Sequence, residues 1–236
     1  NLGSAFLGNS IGGRSSLCMN SGSLYVSNAL NVGHLASATG SVLFTDGQIG
    51  TTYLTIGNNG SGSWIQSNGT ATVGIDTTVG VNNTGTLEIV NGVLTNSGVF
   101  FVGKNTKAAG QVALRGGTIA SAKGCRIGDW GGVGSLLLEN GTLFCGSGGS
   151  SSIGNGNGST GIVIQTGGEF NVAQSLTVAN STPAAIGSYD LYDGQLTVAN
   201  DLVIGNNISN RGEVTIRGGS VWIGANTRIG VSSNAV

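Results

Sequence analysis

The sequence predicts an all-β fold, a right-handed, three-faced parallel β-solenoid that takes in residues 1–236 as a single domain. Three observations carry that expectation. Glycine-marked anchors recur about every 25 residues from one end to the other, apolar residues inside each repeat are spaced by two, and no ten-residue window has helical periodicity.

The first anchor is an Asn, Asp, Ser or Gly followed by Gly, with apolar residues close on either side. It falls at Gly22, Gly47, Gly69, Gly92, Gly117, Gly141, Gly168, Gly194 and Gly219, at spacings of 25, 22, 23, 25, 24, 27, 26 and 25. The second anchor, an apolar residue followed by Gly, runs out of phase with the first, at Gly8, Gly33, Gly57, Gly80, Gly103, Gly128, Gly154, Gly205 and Gly230. Val178-Ala179 is its single departure. Two anchors holding one period along the whole chain imply a stacked repeat, with about ten coils and about 45 Å of stack at ~4.8 Å per layer.

Each repeat divides into strands and corners. Gly194 to Gly205 reads as a short strand with Leu196 and Val198 on one face, an Asn200-Asp201 corner, a second strand from Leu202 to Ile204, and a glycine corner. Val214-Thr215-Ile216 supplies a third strand and Gly218-Gly219 a third corner. Three strands in about 25 residues are too few for a propeller blade, which needs four strands and about 40 or more residues. Left-handed hexapeptide solenoids keep a strict six-residue beat, which is missing. At the corners, Asn, Asp and Gly tolerate left-handed backbone angles.

Composition excludes several classes. A single proline and no glycine at every third position exclude collagen. Nine basic against ten acidic residues give no cationic surface for nucleic acid. No apolar stretch approaches the roughly 20 residues of a membrane span. The 45 glycines do not imply disorder, because a hydrophobic fraction of 39% is enough for a core.

The residues that could carry chemistry read as structural. His34 falls in a column with Asn9, Asn58, Asn155, Asn180 and Asn206, so it is expected to be a corner residue in left-handed geometry. Asp46 and Asp193 are corner residues; Glu88 and Asp190 sit outward in distant coils. Cys18, Cys125 and Cys145 are expected to be free thiols, with Cys125 and Cys145 standing in for small buried hydrophobes. Glycosylation sequons at Asn59, Asn68, Asn82, Asn140, Asn157, Asn180 and Asn207 follow from composition. The run Gly154 to Gly158 lacks the Lys-Ser/Thr and helix of a phosphate loop. Arg115 should pair with Glu139 across coils. The outward column of Arg126 and Arg228 is too mixed for a flat ice-binding array. Trp64 and Trp130 share no register with Trp222, but Tyr189, Tyr192 and Trp222 form a candidate exposed contact patch. No catalytic, cofactor or metal residues are assigned.

Units of the form seen from Gly194 to Asn207 resemble those of secreted bacterial pectin-lyase-like β-helices, especially autotransporter passengers and cell-surface repeat proteins. The resemblance covers essentially the whole chain and lies in period and corner chemistry, with no functional motif. It implies export to the bacterial cell surface or beyond, with adhesion or scaffolding commoner than catalysis. Relatives that cleave polysaccharides gather Ca²⁺-binding acids near a basic residue; here the acids are scattered. Neither end of the chain, Asn1-Leu2-Gly3 or Ser232 to Val236, reads as a cap. The segment is therefore expected to join further coils of a longer chain or to stack end to end on copies of itself. The functional expectation is a non-enzymatic extracellular rod, either a filament subunit or an adhesin stalk. A carbohydrate-binding or carbohydrate-cleaving β-helix is the alternative.

Overall fold

The computed structural model describes residues 3–180 and 184–230. Of the two terminal stretches, Asn1-Leu2 and Ser232 to Val236 lie outside the described residues, as does Val231, the residue after Gly230 in the column that holds His34. Within them every regular element is a strand, and the strands wind into a parallel β-solenoid of about nine turns.

Each turn contributes to three files of strands. The first file is a nine-stranded sheet from Arg14–Met19 to Arg211–Ile216, paired in parallel throughout. A second file includes Thr118–Ser121 and Thr142–Cys145, and a third includes Phe100–Val102 and Cys125–Asp129. In the first two turns the second and third strands are continuous, as Ser23–Val32 and Gln48–Ile56, with a register shift between Val26 and Ala29. Nine turns replace the expected ten because the ten second-anchor positions, Ala179 included, bound nine intervals.

Strand alternation decides the interior. In Ala109–Leu114, Gly110, Val112 and Leu114 are buried while their neighbours are less so, and the same phase repeats in the strands of the file from Thr39–Phe44 to Ile186–Leu191. The inward columns merge into one core running from Met19 to Leu202, in which each turn covers its neighbour's face.

The corners explain the glycine count. All eighteen glycines of the two anchor files have positive φ, from +66° at Gly230 to +106° at Gly47. At Gly47 and Gly194 the preceding aspartate accepts a hydrogen bond from the glycine N–H, at 2.8 and 2.7 Å. The second anchor carries a further constraint. A Cβ on Gly128 would lie 2.1 Å from the carbonyl oxygen of Thr160 in the next turn, so the backbone itself occupies the space. A third glycine file at the second position of the first-file strands, Gly40 to Gly212, is equally tight: a Cβ on Gly161 would stand 2.3 Å from the Gly154 nitrogen. Ala179 takes the anchor position with φ of +61°.

His34 corrects one expectation. The left-handed residues of its corner are Gly33 and Ser37, and His34 lies between them as a member of the side-chain column. There its Nδ1 faces Asn58 Nδ2 at 3.4 Å and its ring packs on Phe6 at 4.5 Å.

Cys125 and Cys145 correct another. They are buried, but they form a disulfide linking adjacent turns rather than standing as free thiols; Cys18 is the free, exposed cysteine. With a sequence separation of 20, closing that loop in the unfolded chain stabilises the fold by about 3 kcal/mol.

The corner geometry gives a paired test. Gly128→Ala combines left-handed strain with a backbone collision and is expected to cost about 2–5 kcal/mol. Gly158→Ala, at φ of +69° but with no atom within 4 Å of the added Cβ, should cost only about 1–2 kcal/mol. Urea denaturation of the two variants checks this; equal losses would refute the close-approach account.

Candidate functional site

The first strand file presents the most distinctive outward surface. Its outward side chains stand in vertical columns, because the pairing is in register from turn to turn. One column reads Leu43, Ile65, Glu88, Ala113, Leu137 and Ile164 from the second turn to the seventh. Ala113, the smallest of them, leaves a groove of about 430 Å³, bounded by Ile65, Leu137, Ile162 and Ile164. Ser63, Thr86 and Ser135 of the neighbouring column complete the wall.

Charge is gathered at the edge of this face. Arg115 Nε donates to Glu88 Oε1 and Arg115 Nη1 to Glu139 Oε1, both at 2.6 Å, so one guanidinium bridges three successive turns. The hydrogen bond to Glu88, followed by that to Glu139, raises the guanidinium pKa. The sequence places Glu139 beside Arg115. It leaves Glu88 alone, yet the turn before supplies it to the same cluster.

A second charged cluster lies on the third file. Asp129 is fully buried, accepts a hydrogen bond from Asn155 Nδ2 at 2.5 Å, and meets Arg126 Nη1 at 3.6 Å, too long for a hydrogen bond. Burial raises the Asp129 pKa, opposed by the hydrogen bond from Asn155 and by the nearby charge of Arg126. Phe101 holds the Lys104 ammonium 4.2 Å from its ring centroid and the Arg126 guanidinium at 5.6 Å. Asp129 thus begins a ladder in which Asn155, Asn180 and Asn206 each donate to the residue one turn before. Its chemistry is that of a stacked corner. Among the described residues no group of three or more His, Cys, Asp or Glu could hold a metal ion. Among them, too, no helix is long and apolar enough to cross a membrane.

The expected contact patch of Tyr189, Tyr192 and Trp222 is not assembled, and this is a correction. Tyr189 points inward, packs on Phe170 and is fully buried; its hydroxyl donates to Gln165 Oε1 at 2.5 Å. Gln165 Nε2 in turn donates to the carbonyls of Gly168 and Gln195. Tyr192 is exposed and stacks under Arg217 at 5.2 Å, while Trp222 belongs to the second file, in register with Thr197. Tyr189 occupies the column of Val112, Leu136 and Val163, which was the available signal for its burial.

A polar groove of about 490 Å³ lies on the second file of the first turns, lined by Tyr25, Gln48, Thr52, Thr70 and Thr72. The Tyr25 ring leans over Gly50, where an added Cβ would come within 2.9 Å of it.

No protein-family model, no curated protein and no solved structure matches the chain.

Burial raises the Tyr189 pKa above the ordinary value near 10. A raised value means the neutral phenol is favoured in the fold, so its contribution is complete below about pH 10 and is lost as pH rises further. Tyr189→Phe should cost about 1–3 kcal/mol at pH 7, because Gln165 Oε1 loses its donor while buried. The gap between variant and wild type should narrow by pH 11. Urea melts at the two pH values test this, and a gap of constant size would contradict it.

Proposed function

We propose that this chain is an extracellular structural rod, a non-catalytic β-solenoid that serves as a filament subunit or as the stalk of an adhesin of the autotransporter kind. The observation that carries the reading is the continuity of the stack. Parallel pairing passes from turn to turn in all three files, and the corners are tied by side-chain ladders such as Asn82 to Asn59, Asn91 to Asn68 and Asn105 to Asn82. Such a structure spreads its stabilising contacts evenly along its length, which suits a spacer that bears load. The buried Cys125–Cys145 disulfide supports placement in an oxidising compartment, where such bonds persist.

Negative-stain images of the purified protein test the rod. Straight particles about 4–5 nm long, or linear multiples of that length where copies join end to end, are the expected result. Compact particles of no fixed axis would reject it, and Ca²⁺-dependent cleavage of acidic polysaccharide would reject the non-catalytic part.

The Tyr25 groove supports carbohydrate binding as a second reading, since an exposed tyrosine beside Gln48 and three threonine hydroxyls offers both a stacking surface and hydrogen-bond partners. Retention of neutral oligosaccharides by the wild type and its loss in Tyr25→Ala, followed on a glycan array, is the expected outcome. Equal retention by both forms would place any sugar site elsewhere.

A further inference from the structure

We propose that the outward face of the first strand file is a docking surface for a second copy of this chain, so that two solenoids pair side by side. This goes beyond the rod reading and is independent of end-to-end joining, which uses the ends of the stack.

The distribution of apolar side chains singles out the face. Leu43, Ile65, Val133, Ile162, Ile164 and Ile186 all lie on its strands, and each is at least 36% exposed. Among the described residues the large hydrophobic side chains exposed on the second file are Tyr25, Phe144 and Trp222, several turns apart. Six aliphatic side chains gathered on one sheet form the kind of patch that marks an interaction site.

Three features identify a second copy as the occupant. The first is charge. Between the second and seventh turns Glu88 is the one charged side chain on these strands, and Arg115 neutralises it from the edge, so two identical faces meet without repulsion. The second is area. The six strands of the second to seventh turns, at ~4.8 Å by six residues at ~3.3 Å, give a face of about 29 by 20 Å, or roughly 580 Å² per partner, the size of a weak, reversible pairing. The third is period. The face is ridged at the rung repeat, and the surface with the same ridge spacing along its whole length is another copy of itself; an aliphatic side chain from the column of one copy then faces the depression at Ala113 of the other, as between stacked sheets.

Sedimentation of the full chain carrying Cys18→Ser tests the proposal; Cys18 stands exposed at the end of the same column and would otherwise be able to link copies covalently. At about 100 µM the weight-average mass should be twice the monomer's, with particles doubled in width and unchanged in length. Ile65→Lys combined with Ile164→Lys should weaken pairing at least 100-fold, and Ala113→Arg, which adds only an outward side chain, should do the same. Phe144→Lys on the second file should leave it intact. Far-ultraviolet circular dichroism checks that each variant folds, and Ala113→Arg decides the matter if the double variant does not.

A wild type that stays monomeric at this concentration overturns the proposal, even if its face binds an apolar dye that Ala113→Arg displaces. So does a dimer that survives both face variants. Mass that grows without limit and ignores these substitutions is end-to-end assembly: it overturns side-by-side pairing while leaving the rod reading in place.

Discussion

The close approach of backbone to backbone at the glycine corner is the constraint on which the rest of the structure depends. At Gly128 the chain turns through left-handed geometry against Thr160 of the next turn, and at Gly161 the following strand begins against Gly154. Neither site has room for a β-carbon. Because these contacts repeat at nearly every turn, the corner sets both the spacing of the stack and the phase in which each strand leaves it. Strand phase then determines which side chains face inward, and so the continuous core is a consequence of the corner rather than its cause.

Much of this was legible in the sequence. The two anchor files fix period, strand content and parallel stacking, since a glycine that recurs with an apolar neighbour has both a backbone and a packing reason to be there. The third file, Gly40 to Gly212, was present in the same letters but was hidden among 45 glycines, and only the distance to the adjacent corner distinguishes it. The disulfide was obscured for a different reason. Cys125 and Cys145 are 20 residues apart, less than a full repeat, so no single column contains both; they meet because they lie at the ends of different strand files in successive turns. Tyr189 was misplaced because its hydroxyl suggested a surface, whereas Gln165 supplies the partner that makes burial possible.

The candidate surface was partly legible. In Leu136-Leu137-Leu138 and Ile162-Val163-Ile164 the alternation breaks down into continuous apolar runs. A strand with water on one side has no need of such a run, so the outward Leu137, Ile162 and Ile164 are surplus to the core. What the letters could not supply was the vertical alignment of these residues with Ile65 and Ala113, which depends on every intervening turn having the same phase.

A column of aliphatic side chains does not by itself define register, because a slip of two residues leaves the same alternation facing inward. Two kinds of feature remove that freedom here. A slip would carry a β-carbon into the space at Gly128 or Gly161, where backbone atoms stand within 2.3 Å. It would also part the interior polar groups from their partners: Tyr189 from Gln165, and Asn96 from Ser121, whose one hydroxyl proton lies within reach of the carbonyls of Gly98 and Gly124. Buried groups so parted would be left without water or protein to satisfy them, at a cost of about 1–3 kcal/mol each. The polar residues inside this core are thus register marks, and an outward face whose columns run straight over several turns is possible only because the interior forbids the slip.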